Sequence, residues 1–320
     1  MPRLSIRLER FEVIAVLIAA SLLAGAAAYV SMRLDGLAIE DACWRSWLAQ
    51  GDRPFPESCI AGINAWHDLN DVFVRGGLAT MNFLPLAFGL VLGVPVVGRE
   101  LEGRTAALAW SLSPSRTRWY AGRMLPILLV LVAASVVSAL AATALEGARE
   151  PWSGGQLSLW DAELSGPPPV ARAVAAFGLA VLLGAVLGRT LPALIVSGAL
   201  VVAAVAIAAG AQGVWLDTQK SVVADADSGP GPDFSGAIVD VAWQAPDGRL
   251  LTDEEALGLV PAGETASWLW TTAGMRQVQL GVSDDRVADW QWLEAGVALA
   301  AGAGFLIATI PIVDRRTPLP

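Results

Sequence analysis

One histidine, one lysine and two cysteines are all that 320 residues supply of the side chains that most often carry enzyme chemistry. So small a set leaves little material for a Cys/His metal cluster, a Cys–His nucleophile pair or a Schiff-base lysine. The Gly-x-x-x-x-Gly-Lys loop that cradles nucleotide phosphates does not occur. Charge is scarce too, at 16% of residues, whereas 55% are hydrophobic and the mean hydropathy is +0.55. That is more apolar surface than one water-exposed domain can hide, so lipid is the expected place for the excess.

Crossing the hydrocarbon core takes ~20 mainly apolar residues at helical rise. Six charge-poor runs of that kind are predicted: Phe11–Met32, Gly76–Val97, Met124–Leu145, Val170–Leu187, Leu191–Ala211 and Trp290–Val313. Three residues, Gly188, Arg189 and Thr190, separate the fourth and fifth and impose a tight antiparallel hairpin. The first run continues past the length of a signal-peptide core and is read as a span.

Six spans place both termini on one side. That side, with the 98–123 connection and the Arg189 turn, carries 11 arginines against five carboxylates, and the other carries 10 basic and 24 acidic residues. The positive-inside rule then predicts an N-in, C-in topology. The expected fold class is an all-α polytopic membrane protein with a small extracytoplasmic α+β insertion between helices 5 and 6. The chain divides into 1–211, holding spans one to five and the cytoplasmic segment 98–123, then an outer domain 212–289, then span six and a tail, 290–320. Within the insertion, Ala237–Trp243 is predicted as a strand, Pro246, Asp247 and Gly248 as a turn, and Thr252 with Glu255 as a capping box. Asp225 and Asp227 with Gly229 lack the third ligand and closing glutamate of a calcium loop, so Ala224–Asp233 is read as a solvated loop and no metal site is expected. Cys43 and Cys59 fall on one outer loop in an oxidising compartment and form a disulfide candidate. Such a bridge is worth ~3 kcal/mol in the chain-entropy model.

Within the spans, ionisable groups are nearly absent. Arg172 and Glu294 lie close to an interface and are read as anchors, which leaves no internal charge relay to power transport. Gly184, Gly188 and the Gly296–Gly304 run have helix-packing spacing, and Trp119, Tyr120, Trp290 and Trp292 sit where a headgroup-level aromatic belt belongs. The connection Arg99–Arg123 is too charged to span, and Leu101, Leu108 and Trp110 give it an apolar edge for a membrane or a partner. Ser113 before Pro114 is a helix start, a cap followed by proline at the first helical position.

The end of the second run, Gly-Val-Pro-Val-Val-Gly, followed by Arg99-Glu100-Leu101-Glu102, Thr105, Leu108, Ser113-Pro114, Arg116 and Gly122-Arg123, resembles the permease subunits of type-2 ATP-binding cassette (ABC) transporters of high-GC Gram-positive bacteria. Asp289–Glu294 at the start of the last run extends the likeness. The family usually has glycine directly before the threonine, whereas here Gly103 and Arg104 stand in the opposite order, which leaves the local geometry open. The resemblance implies a coupling helix at Arg99, Glu100, Leu101, Glu102, Gly103, Arg104 and Thr105 that docks on a separate cytoplasmic ATPase, with Glu100, Glu102 and Arg104 supplying charge complementarity. It implies two ATPase copies holding ATP and Mg, a second permease copy forming a homodimer, membrane lipid around them and no nucleic acid. No cofactor is expected in this chain, and the function implied is export of a hydrophobic or amphiphilic substrate across the cell membrane. The rival reading is a membrane-anchored receptor or assembly protein whose outer domain binds a partner.

Overall fold

The computed structural model describes residues 9–37, 39, 43, 57–111, 113–149, 166–225, 234, 236–261, 264 and 268–316. Six of its helices are long and apolar enough to cross a membrane. Helices are the economical answer there, because each backbone N–H and C=O is satisfied within its own segment.

Span one is α1 (Arg10–Asp35). Span two is a continuous helical run over Cys59–Glu102, built from α2 (Glu57–Leu69), a π-helical turn at Asn70–Val74, α3 (Arg75–Gly93) and α4 (Pro95–Glu102). Its start lies well before the predicted Gly76, because Asp68, Asp71 and Arg75 end the apolar run without ending the helix. A short α5 (Ala106–Ser111) precedes span three, α6 (Arg116–Arg149). Spans four and five are α7 (Pro168–Leu187) and α8 (Thr190–Gln219), joined across Gly188, whose φ of 63° is the left-handed conformation a tight helix stop needs. Span six, α11 (Asp284–Arg315), begins directly after the insertion.

Span four is the hub of the bundle and packs on spans two, three, five and six, while span one leans on span three. Close approach at the hub rests on glycine. A Cβ on Gly178 would stand 2.6 Å from the Gly302 carbonyl oxygen, and one on Gly89 2.5 Å from that of Ala173. Gly184 meets the Val94 carbonyl in the same way, whereas Gly296 and Gly304 face open space, so only part of the predicted glycine run is a packing seam. Span five is the loosest member and buries few residues.

The insertion is a four-stranded antiparallel sheet in the order β1–β4–β2–β3, from β1 (Ser221–Asp225), β2 (Gly236–Gln244), β3 (Leu250–Leu251) and β4 (Arg276–Ser283). Helices α9 (Asp253–Leu257) and α10 (Trp268–Thr271) cover it. The predicted capping box is present, with Thr252 Oγ1 accepting from the Glu255 N–H and Glu255 accepting from the Thr252 N–H. Trp243, Leu251, Ala256 and Leu269 form its small core. Lys220 ties the end of span five to the sheet through Asp217 at 2.8 Å and Asp240 at 2.9 Å. Burial opposes its charge, and the two carboxylates outweigh that and raise its pKa. Of the loop read at Ala224–Asp233, residues 226–233 lie outside the described residues.

Two expectations change at the start of span three. The cap is Ser115, whose Oγ accepts from the Arg118 N–H at 3.1 Å, and the Ser113 hydroxyl instead donates to the Ser115 carbonyl. Trp119 and Tyr120 do not face a headgroup belt. Tyr120 is buried and donates to the Leu306 carbonyl, and Trp119 packs edge-on against Trp110. Both turn inward because span six and α5 cover that face.

Candidate coupling site

Helices α4 and α5 lie across the end of the bundle where span one begins and span six ends. Helix α4 prolongs span two, so its inner face carries Val96, Val97 and Glu100 into the core. Arg123, on span three and 4% exposed, donates through Nη1 to Glu100 at 2.5 Å and through Nε to Glu9 at 3.2 Å. The Thr105 hydroxyl donates to the second Glu100 oxygen. Arg99 pairs with Glu12 of span one. The Glu102 carboxylate accepts from the Thr190 N–H at 3.0 Å and from its hydroxyl, which satisfies donors at the start of span five. Arg116 reaches the last carbonyls of span six, Val313, Asp314 and Arg316, at 3.3, 2.7 and 2.9 Å.

Glu9, just before span one, is fully buried. Burial pushes its carboxyl up from the ordinary 4.5 to about 7, against the opposing pull of Arg123. Two carboxylates thus share one buried guanidinium. Glu9 Oε2 and Arg123 Nη2 find no hydrogen-bond partner among the described residues.

Of the three charged residues expected to face a partner, Glu100 is buried and engaged within the chain, whereas Glu102 is exposed and bonds Thr190 from the surface. Arg104 is exposed as well, beside Glu102 on the same surface. Its backbone explains the inverted Gly-Arg order. Arg104 has a φ of 57°, the one positive value among the described non-glycine residues. The Thr105 N–H bonds to the Glu100 carbonyl and the Arg104 N–H to that of Leu101, which is the Schellman ending of a helix with its left-handed residue at 104. Glycine favours that conformation, whereas Gly103 sits at an ordinary φ of −76°.

Beyond this turn, α5 buries Ala106 and Trp110 in the main core and leaves Leu108 65% exposed. Arg116 stacks on Trp110 at 4.5 Å, so the turn is clamped from the span-three side. Leu101 is half-buried against the same core, which leaves Leu108 as the free apolar residue of the edge read from the sequence. A family model described as ABC-2 membrane transporter related matches residues 13–212.

The chain belongs to that family. It is a multi-pass membrane protein and an ABC transporter permease subunit, a type that has no ATPase domain of its own and works with an ATPase partner. The match runs from the first turn of span one to a point within span five, takes in the whole of α4 and α5, and stops before the sheet. No curated protein and no solved structure matches the chain.

At the opposite end of the permease, Cys43 and Cys59 are bonded, with Cα atoms 5.5 Å apart. Arg172 and Glu294 are not separate interface anchors. Arg172 Nε and Nη2 donate to the two Glu294 oxygens at 2.5 and 2.9 Å, and Nη1 donates to Asn82 Oδ1 at 3.0 Å. The pair joins spans four and six with span two, and its side chains are only 12% and 11% exposed. The sequence signal was present in principle: opposite charges at matching depth in two runs that begin on the same side.

Proposed function

We propose that the permease is the membrane half of an exporter, with both termini and the α4–α5 turn cytoplasmic and the sheet outside. The turn docks on a separate ATPase that holds ATP and Mg, and two ATPases serve two permease copies. The observation that carries this reading is the fastening of the turn. Ion pairs and a helix-end contact join it to spans one, three and five, while the chain itself continues from it into spans two and three. A displacement imposed on so rigid an element moves the bundle as a unit. Gly103, Arg104 and Leu108 form its exposed tip. In this reading Arg104 orients the ATPase and Leu108 supplies the apolar contact. Glu100 and Glu102 are positioning residues that hold the tip in place.

The test is co-purification of the full chain with its ATPase, with ATP hydrolysis and vesicle export measured on the complex. Leu108→Asp is expected to cut ATPase recovery at least ~10-fold, the scale of one lost apolar anchor, without lowering the unfolding temperature of the permease. Unchanged recovery and export in that variant would refute the docking assignment.

A further inference from the structure

A half-enclosed cavity of 510 Å³ lies between spans two, four, five and six. Its volume falls within the ~300–1,000 Å³ range of pockets that hold one small ligand. The walls are apolar, and much of the span-five side is alanine, including Ala208. These short side chains leave the space unfilled, and spans five and six, which meet through the Trp215 and Trp290 rings at 5.3 Å, pack too sparsely along the rest of their length to close it. Polar atoms enter from three residues alone: Asn82, Arg172 and Glu294, the hydrogen-bonded set described above. The site is one long apolar compartment with one polar end.

The chemistry of that end selects the head group. Among these three side chains Arg172 and Glu294 offset each other's charge and Asn82 adds none, so neither sign is in excess within the trio. In a low-dielectric site a ligand with a net charge must either break the pair or remain uncompensated, and both are costly. A hydroxyl needs neither, because it can donate to a carboxylate lone pair and accept from the Asn82 amide.

We propose that this cavity is the cargo site of the permease and that it takes an uncharged, hydroxyl-headed, single-chain amphiphile. The apolar tail lies along spans five and six toward Phe305, and the head rests on Asn82, Arg172 and Glu294. The cargo assignment rests on the export reading above, while the binding itself does not.

Three probes of one chain length separate the outcomes: a monoacylglycerol, the fatty acid and the alkylamine. Binding to the full chain in lipid nanodiscs is measured by displacement of a fluorescent monoacylglycerol, and ATP hydrolysis is measured on the complex with the ATPase. The monoacylglycerol is expected to bind at least ~10-fold more tightly than either charged analogue, the discrimination of one unpaired polar group, and to stimulate hydrolysis. Ala208→Leu, which fills the apolar wall, should weaken all three probes while leaving the unfolding temperature unchanged. Joint replacement Arg172→Met with Glu294→Met should abolish the preference for the neutral head. Equal or tighter binding of the fatty acid or the amine overturns the head-group assignment, and binding unaffected by Ala208→Leu overturns the cavity. Binding without stimulation, in a complex that still hydrolyses ATP, overturns the cargo role. Loss of binding in a complex that still assembles would leave the coupling reading standing alone.

Discussion

Arg104 carries a cost that its neighbour could carry more cheaply. An L-residue with a φ of 57° is strained by roughly 1 kcal/mol relative to glycine. Arg104→Gly is therefore expected to raise the unfolding temperature of the detergent-solubilised chain by the equivalent of about 1 kcal/mol, while weakening ATPase recovery if the guanidinium makes the contact proposed. Thermal unfolding that does not move would contradict the left-handed assignment. Glu9 gives a second prediction at this scale. Its carboxyl is raised from 4.5 to about 7, so the folded state takes up a proton that the unfolded state does not hold between those values. The stabilisation is complete below pH 4.5 and is lost as pH rises through 7. A decline on the order of 3 kcal/mol at most is expected across that interval, from ~1.4 kcal/mol for each unit of pKa difference. Glu9→Gln should flatten it, because the amide oxygen still accepts from Arg123 and no longer titrates. A decline of the same size in the variant would place the titration elsewhere.

Among the elements, the crossing of spans four and six is the most demanding contact. Gly178→Ala would set a methyl 2.6 Å from the backbone oxygen of Gly302, and backbone cannot yield as a side-chain tip can. The expected loss is about 1–3 kcal/mol in thermal unfolding. Gly296→Ala, whose methyl meets nothing within 4 Å, should be neutral or slightly stabilising. Equal effects of the two would contradict the packing described. The contrast also shows what the sequence can state. Six spans, the Gly188 turn and the Thr252–Glu255 cap are legible because each is written in consecutive residues. Which glycines of a run meet a neighbour depends on rotation about the helix axis, and apolar residues all round a span leave that rotation unmarked. Glu100 failed to read as a buried residue for the same reason: its depth was evident and its direction was not. Arg172 and Glu294 stand 122 residues apart, so no local pattern joins them. Strand β4 carries a readable signal, Val278, Leu280 and Val282 alternating with Gln277, Gln279 and Gly281, and only its burial on both faces over Val278–Val282 has no mark in the sequence.

At the scale of the molecule, the two ends of the bundle are built for different work. One end carries the disulfide, the sheet and the Arg172–Glu294 pair; the other carries the α4–α5 turn and its ion pairs. The proposed orientation makes the first end external. Both native cysteines are bonded to each other, so one introduced cysteine is the sole free thiol of the chain. Leu257→Cys, exposed on α9, should react with a membrane-impermeant thiol reagent in intact cells, and Leu108→Cys should not. The reverse pattern would invert the topology. The central claim is that ATP-driven motion enters through the α4–α5 turn, and thiol cross-linking in native membranes tests it most directly. Leu108→Cys should give a cross-link to the ATPase subunit that intensifies or fades with nucleotide. A cross-link to the ATPase from Leu257→Cys, with none from Leu108→Cys, would contradict the account.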